Sequence, residues 1–238
     1  MPKELMWYEK LGYAYNPFTI KPGFFDDEVV GYDKEVDKLV SSLNKDEMYF
    51  LEGDFGLGKT TILKYLINEF SGNKKVIYIS RNRNDRAFNY ANLLKGASKG
   101  LKKFFGVKAK DVLLIVDETA KINAEDCKQI EHYFDEGYIG SVLFIDKSLE
   151  ESRISSSLKE RIGKNIVKLK PLDSKSAVEL TRSRLDGNEE FITDDLIKSI
   201  YEKSFKNTRR FLENMEDVFR HAVDEGREQV SKEDIANI

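Results

Sequence analysis

The chain has 238 residues, of which 40% are apolar, so it is long enough for one large domain with a buried core, or for a domain with a small satellite. Its formal net charge of −3 argues against a chain that binds nucleic acid through overall basicity. The single cysteine, Cys127, excludes an internal disulfide, and the two histidines, His132 and His221, are too far apart in sequence to show metal-ligand spacing.

Residues 1–31 are predicted to form an irregular arm. The chain begins MPKELMWYEK, which lacks the apolar stretch of a signal peptide, and turn signals follow at Asn16-Pro17 and Lys21-Pro22-Gly23. No segment approaches the roughly 20 consecutive apolar residues of a membrane span. We therefore expect a cytoplasmic protein with no membrane partner.

Short apolar runs and amphipathic segments alternate between residues 32 and 171. The apolar runs predict five strands, at 48–51, 75–80, 112–116, 141–145 and 166–169. The amphipathic segments predict helices at about 33–43, 60–70, 87–105 and 124–134. Strands that alternate with helices form a parallel sheet with helices on both faces, so this region is predicted to be an α/β domain.

The pattern changes after Pro171. Three amphipathic segments follow, and they predict helices at about 174–185, 193–204 and 207–224. The sequence therefore predicts an arm at 1–31, an α/β domain at 32–171 and a small all-helical domain at 172–238.

Residues 53–60 match the pattern of a phosphate-binding loop, Gly-x-x-x-x-Gly-Lys-Thr, between a predicted strand and a predicted helix. Glycines allow backbone N–H groups to cradle phosphates at a helix N-terminus. Lys59 is predicted to reach the β- and γ-phosphates of ATP, and the Thr60 hydroxyl to ligate Mg²⁺. The predicted nucleotide-binding residues of this loop are Gly53, Asp54, Phe55, Gly56, Leu57, Gly58, Lys59, Thr60 and Thr61.

An acidic pair, Asp117-Glu118, follows the apolar run at 112–116. Asp117 is predicted to hold Mg²⁺ through water, and Glu118 to polarise the water that attacks the γ-phosphate. The alternative is a solvated strand end that caps the next helix. With a phosphate-binding loop upstream, the pair favours ATP hydrolysis over phosphorylation of a small molecule.

With both motifs in place, the chain resembles the AAA+ ATPases, above all the clamp-loader and origin-initiator branch, whose members act on DNA. Its start, Asn16-Pro17-Phe18, also resembles ExeA-like secretion ATPases and some transposition ATPases. The resemblance implies that Val29, Val30 and Gly31 pack on adenine and that the C-terminal helices form a lid. Initiators commonly carry a winged-helix domain after the lid. This sequence stops at Ile238, so a bare AAA+ module is expected.

Three further site residues come from this resemblance. Asp146, at the end of the strand 141–145, stands where the family usually has a polar sensor that bonds the γ-phosphate, and Lys147 or Ser148 are alternatives. Arg161 matches the arginine finger that completes a neighbouring subunit's ATP site; Arg153 and Lys159 compete for this role. Arg209, favoured over Arg210, matches the lid arginine that reaches the γ-phosphate.

Residues 81–110 are strongly basic, with three Arg and six Lys against one Asp, a net charge of +8 within an acidic chain. Helical spacing places the lysines from 95 to 103 on one face, which suits contacts with the phosphates of DNA. A solvated helix face is the alternative. The predicted nucleic-acid contacts are Arg81, Arg83, Arg86, Lys95, Lys99, Lys102 and Lys103.

Three functional hypotheses follow. The first is a DNA-associated ATPase for replication initiation, loading or target-site assembly, acting as a homo-oligomer or with partner AAA+ subunits. The second is a protein-remodelling or secretion-type ATPase with a protein client. This hypothesis expects an aromatic-hydrophobic pore loop, whereas the loop after 75–80 is rich in Arg and Asn; Phe104-Phe105 is the alternative candidate for that element. The third is an ATP-dependent switch that docks a protein partner and seldom hydrolyses, which the carboxylate of Asp146 keeps open.

Overall fold

The computed structural model describes residues 5–21, 29–81, 89–97, 112–236 and 238. The chain divides into two compact units. The sheet unit comprises Tyr32–Asp54 and Lys59–Leu169. The helical unit comprises Met1–Gly31, Phe55–Gly58 and Lys170–Ile238.

The sheet unit contains a five-stranded sheet in which every pairing is parallel. Its strands are β1 (Met48–Glu52), β2 (Lys75–Ser80), β3 (Val112–Asp117), β4 (Ser141–Asp146) and β5 (Ile166–Lys168). Their order across the sheet is β2-β3-β4-β1-β5. The predicted α/β fold is therefore confirmed. The central strands β1, β3 and β4 are buried along almost their whole length, as their apolar composition requires.

Three strands extend one residue beyond the predicted ends, to Glu52, Asp117 and Asp146. Apolar periodicity cannot detect a polar last residue, yet the backbone of that residue still pairs. Glu52 lies opposite Asp146 in the register of β1 and β4, and Asp117 lies opposite Ile145 in that of β3 and β4. Because the strands are parallel, these polar residues share one edge of the sheet.

Nine α-helices are assigned within the described residues. They are α1 (Trp7–Lys10), α2 (Asp33–Ser42), α3 (Lys59–Ser71), α4 (Tyr90–Ala97), α5 (Ala124–Asp135), α6 (Ser156–Ile162), α7 (Ser174–Arg184), α8 (Asp194–Lys203) and α9 (Thr208–Asp224). The sequence does not predict α1 or α6, because each is too short to show a clear apolar period. In α6 only Leu158 and Ile162 are buried.

Side-chain caps fix where five of these helices begin. In each case the cap accepts a hydrogen bond from the backbone N–H three residues later, which satisfies a donor that the first helical turn leaves without a partner. The caps are Asn123, Ser155, Asp173, Thr193 and Asn207.

In the helical unit, the N-terminal segment packs on the last long helix. The ring of Trp7 stacks on Phe18 with centroids 6.4 Å apart, and Phe18 meets Phe219 of α9 edge-on at 4.7 Å. Asn188 Nδ2 donates to the carbonyl of Leu11 at 3.0 Å. Residues Met1–Gly31 therefore belong to the same compact unit as the C-terminal helices, and the predicted packing of this arm on the nucleotide site stays a prediction. Among the described residues, no helix combines the length and apolarity needed to cross a bilayer.

Candidate nucleotide-binding site

The phosphate-binding loop connects β1 to α3, in the context that its sequence pattern requires. The helix begins at Lys59, so its N-terminus closes the loop. Gly56 and Gly58 have φ angles of 84° and 91°, in the left-handed region that favours glycine. The N–H of Gly53 donates to the carbonyl of Asp146 at 3.2 Å, which joins the start of the loop to the end of β4.

The ammonium group of Lys59 is folded onto its own loop. Its Nζ donates to the carbonyls of Gly53 at 2.6 Å and Asp54 at 2.9 Å. Burial lowers the pKa of Lys59, while the nearby carboxylates, Asp117 first among them, oppose that shift. A phosphate group would offer this cation stronger acceptors than two neutral carbonyls do.

Asp117 ends β3 and is half-buried beside this cation. Its Oδ1 accepts the N–H of Glu118 at 2.9 Å, and its Oδ2 accepts the hydroxyl of Tyr78 at 3.2 Å. Burial raises the pKa of the Asp117 carboxyl, and the bond from Glu118 partly offsets this. Mg²⁺ prefers hard oxygen ligands. The carboxylate of Asp117 and the hydroxyl of the exposed Thr60 are ligands of this kind, so these residues fit Mg²⁺.

Glu118 occupies a strained backbone position. Its φ and ψ are 59° and 52°, a left-handed conformation that costs a non-glycine residue about 1 kcal/mol. Its N–H donates to the carbonyl of Ile145 at 3.0 Å. The hydroxyl of Ser80, at the end of β2, donates to Glu118 Oε2 at 3.1 Å. Sequence reasoning missed Ser80, whose only signal is that it ends a strand in register with Asp117.

Asp146 binds protein donors with both carboxylate oxygens. Its Oδ2 accepts the Thr119 hydroxyl at 3.0 Å and the N–H of Ala120 at 2.6 Å. Its Oδ1 accepts the N–H of Lys147 at 2.7 Å. In this structure Asp146 therefore ties the segment after Glu118 to the end of β4. Its predicted sensor role stays a prediction, as do the alternatives Lys147 and Ser148.

Arg161 lies on α6 and forms a two-point ion pair with Asp135 at the end of α5. Its Nη2 donates to Asp135 Oδ2 at 2.9 Å, and Nη1 contacts the other carboxylate oxygen. The Arg161 guanidinium holds the pKa of Asp135 below its usual range. The two other candidates for the arginine finger, Lys159 and Arg153, lie in different surroundings. Lys159 Nζ donates to two backbone carbonyls, including that of Ser152 at 3.1 Å, whereas Arg153 is exposed.

In the helical unit, Arg209 lies in the first turn of α9. Its Nε donates to Glu213 at 3.2 Å, and its guanidinium carbon is 5.2 Å from the ring centroid of Phe55. Its neighbour Arg210 instead lies 4.9 Å from the ring centroid of Phe205. Arg209 thus contacts the aromatic side chain of Phe55 in the phosphate-binding loop, and its role as the lid arginine stays a prediction.

The segment predicted to pack on adenine is placed by Gly31, whose φ is 78°. A Cβ on Gly31 would lie 2.7 Å from a side-chain carbon of Leu172 and 2.8 Å from that of Ser176, so glycine is required for this close approach. Val29 and Val30 are partly buried. Their contact with adenine remains a prediction.

The structure corrects one predicted nucleic-acid contact. Arg81 is only 1% exposed, and its guanidinium pairs with buried Asp126 at 3.3 Å. It therefore does not belong to a DNA-binding surface. Lys95 lies on α4, but its side chain is outside the described part of the chain, as are Arg83, Arg86, Lys99, Lys102 and Lys103.

A phosphate-binding loop after β1, an acidic pair at the end of β3 and the strand order β2-β3-β4-β1-β5 define a P-loop fold of the AAA+ type. No protein-family model and no curated protein matches the sequence. Solved structures do match. Orc1 of Aeropyrum pernix, in complex with DNA, has a TM-score of 0.70 at 15% identity, over 93% of this chain and 68% of that chain.

Domain III of the replication initiation protein DnaA of Thermotoga maritima matches with a TM-score of 0.62 at 18% identity, over 91% of this chain and 95% of that chain. A RuvB mutant of Thermotoga maritima matches with a TM-score of 0.67 at 16% identity, over 89% and 70%. At these identities the likeness shows the fold. The protein has the AAA+ ATPase fold of the initiator and clamp-loader type, which confirms the predicted resemblance.

Proposed function

We propose that this protein binds and hydrolyses Mg-ATP and that its ATPase cycle is coupled to DNA. The observation that carries the ATPase is that Lys59, in the loop-to-helix turn after β1, and Asp117 and Glu118, at the end of β3, lie at the same edge of the parallel sheet. Ligands of open α/β sheets bind at this edge, outside the carboxyl ends of the strands.

Each group has a distinct task in the proposed reaction. Lys59 exchanges the carbonyls of its own loop for the phosphates of ATP, and the loop N–H groups cradle the same charge. Thr60 and Asp117 would hold Mg²⁺, which would supply positive charge to the transferring phosphoryl group. Glu118 orients and polarises the attacking water. Arg161 of an adjacent subunit and Arg209 add positive charge at the γ-phosphate.

The coupling to DNA rests on charge and on the neighbours. Orc1 is named as a complex with DNA, DnaA as a replication initiation protein and RuvB as a Holliday junction branch migration motor. Arg81 is buried and is no longer a candidate contact. The basic segment still offers Arg83, Arg86 and the lysines from 95 to 103. Contacts from these side chains to phosphates would hold DNA without reading its sequence.

A second candidate is an ATP-dependent switch that acts through a protein partner. It is favoured by Asp146, whose two oxygens already accept protein donors, and by the hydrogen bond from Ser80 that engages Glu118. A protein in which these carboxylates stay engaged after ATP binds would hold the nucleotide for long periods. Tight ATP binding with turnover that neither DNA nor protein raises would favour this candidate.

The DNA-coupled ATPase and the ATP-dependent switch are distinguished by measuring the ATPase rate with and without duplex and single-stranded DNA, at low and moderate salt. The variant Lys99→Glu/Lys102→Glu/Lys103→Glu tests the basic segment. The control Lys128→Glu/Lys164→Glu/Lys175→Glu makes the same charge change at three exposed lysines elsewhere. We expect DNA to raise turnover, salt to weaken the effect, and only the first variant to lose it. Turnover that ignores DNA in every condition would contradict the coupling.

A further inference from the structure

One amide side chain joins the cap of α9 to the phosphate-binding loop. Asn207 Oδ1 accepts the N–H of Arg210 at 3.0 Å and so caps the helix. Its Nδ2 donates to the carbonyl of Phe55 at 2.7 Å. Two residues along, the N–H of Arg209 donates to the carbonyl of Gly56 at 3.1 Å. The cap and the first turn of α9 thus donate to two consecutive carbonyls of the loop.

These two bonds also set the direction of the loop's own donors. In a trans peptide the C=O and the N–H of the next residue point in opposite directions within one rigid plane. Fixing the carbonyl of Phe55 therefore fixes the N–H of Gly56, and fixing the carbonyl of Gly56 fixes the N–H of Leu57. Loop N–H groups of this kind are the ones that cradle phosphates.

Gly56 allows Asn207 to approach this closely. A Cβ on Gly56 would lie 2.4 Å from Asn207 Oδ1 and 2.7 Å from its Nδ2, distances that real Cβ atoms do not show. Gly56 is not one of the two glycines of the minimal phosphate-binding pattern, Gly53 and Gly58. Gly56 is glycine for two reasons: its φ is positive, and the amide of Asn207 occupies the space that a Cβ would need.

We propose that Asn207 is a positioning residue, which holds Phe55 and Gly56 so that the loop donors are set for phosphate before ATP arrives. The inference rests on the proposed function, since it concerns the same nucleotide site. Asn207 suits this task because an amide offers an acceptor to the helix and a donor to the loop at once. Serine and aspartate cap a helix about as well as asparagine, but neither can donate to Phe55 in the same geometry.

The test compares Asn207→Ser and Asn207→Asp with the control Asn123→Ser, which alters the equivalent cap of α5. Affinity is measured with a fluorescent ATP analogue and Mg²⁺, thermal stability without nucleotide, and amide hydrogen exchange over residues 53–61. We expect all three variants to melt close to the wild type. Asn207→Ser should lose about threefold to tenfold in affinity and exchange faster in the loop. Asn207→Asp should lose more, because its carboxylate repels the Phe55 carbonyl.

Asn207 variants that bind the analogue as tightly as the wild type, with unchanged loop exchange, would overturn the positioning role and leave the proposed function intact. An equal loss of affinity in Asn123→Ser would overturn it as well, because the effect would then follow from weakening any cap. A wild-type chain that does not bind the analogue at all would overturn the proposed function itself.

Discussion

The hydroxyl of Thr119 donates a hydrogen bond of 3.0 Å to the carboxylate of Asp146 and is fully buried there. Thr119 directly follows Glu118, whose left-handed backbone is strained. The same carboxylate accepts the N–H of Ala120. Asp146 therefore stabilises the backbone turn that carries Glu118, whatever it does with nucleotide.

Replacing Asp146 should destabilise the nucleotide-free protein. In Asp146→Ala the buried hydroxyl of Thr119 and the N–H of Ala120 lose their acceptor, which should lower the free energy of unfolding by about 1–3 kcal/mol. Urea-induced unfolding measures this, with Glu150→Ala as a control at an exposed carboxylate nearby. Equal stability of the two variants would show that the bonds to Asp146 contribute nothing.

Removing the hydroxyl of Ser80 should release Glu118. In Ser80→Ala, Glu118 Oε2 loses a donor at 3.1 Å and becomes more available to accept a proton from water. We expect the ATPase rate without DNA to rise by about twofold to tenfold, with little change in ATP affinity. Steady-state kinetics separate the two quantities. A lower rate would mean that Ser80 aligns Glu118 for catalysis and does not restrain it.

The raised pKa of Asp117 predicts a pH-dependent effect on stability. Because burial raises this pKa in the folded state, the ionised carboxylate costs folding free energy above the folded-state pKa, and the cost disappears below the unfolded value of about 4. Asp117→Asn removes the charge but keeps an acceptor for Glu118. We expect the nucleotide-free variant to melt above the wild type at pH 8, with the difference shrinking as the pH falls towards 4. A variant that melts lower at pH 8 would contradict this.

Arg161 should act on the ATP site of a neighbouring subunit. Its ion pair with Asp135 is partly exposed, and pairs of this kind contribute about 0–1 kcal/mol, so the guanidinium can leave Asp135 at little cost. Lys59→Ala subunits keep the Arg161 finger but have an inactive ATP site. Arg161→Ala subunits keep an intact ATP site but lack the finger. An equal mixture should recover about a quarter of the wild-type rate, because one head-to-tail contact in four joins an intact site to an intact finger. No recovery would argue against a finger supplied by a neighbour.

Local sequence signals predicted the five strands, every helix except α1 and α6, and the nucleotide motif. The apolar runs at 48–51 and 112–116 placed β1 and β3 because buried parallel strands need continuous apolar residues. The loop 53–60 was recognisable because its glycines and Lys59 are consecutive in sequence. The positions of Asp117 and Glu118 at a strand end followed from the same local pattern.

Contacts between distant segments were not predictable in this way. The charge of Arg81 is visible in the sequence, but its partner Asp126 lies on another element, and the pair turns a predicted surface arginine into a buried one. The bonds from Ser80 to Glu118 and from Asn207 to Phe55 likewise join residues far apart in the chain. A hydrogen bond of this kind leaves no periodicity or spacing for sequence analysis to detect.

The most direct test of catalysis at this site is the rate of Mg-dependent ATP hydrolysis by the purified wild type, Lys59→Ala and Glu118→Gln. We expect the wild type to hydrolyse ATP, Lys59→Ala to lose both binding and turnover, and Glu118→Gln to bind ATP normally while its turnover falls by about two to four orders of magnitude. Wild-type turnover that persists unchanged in both variants would contradict catalysis at this site.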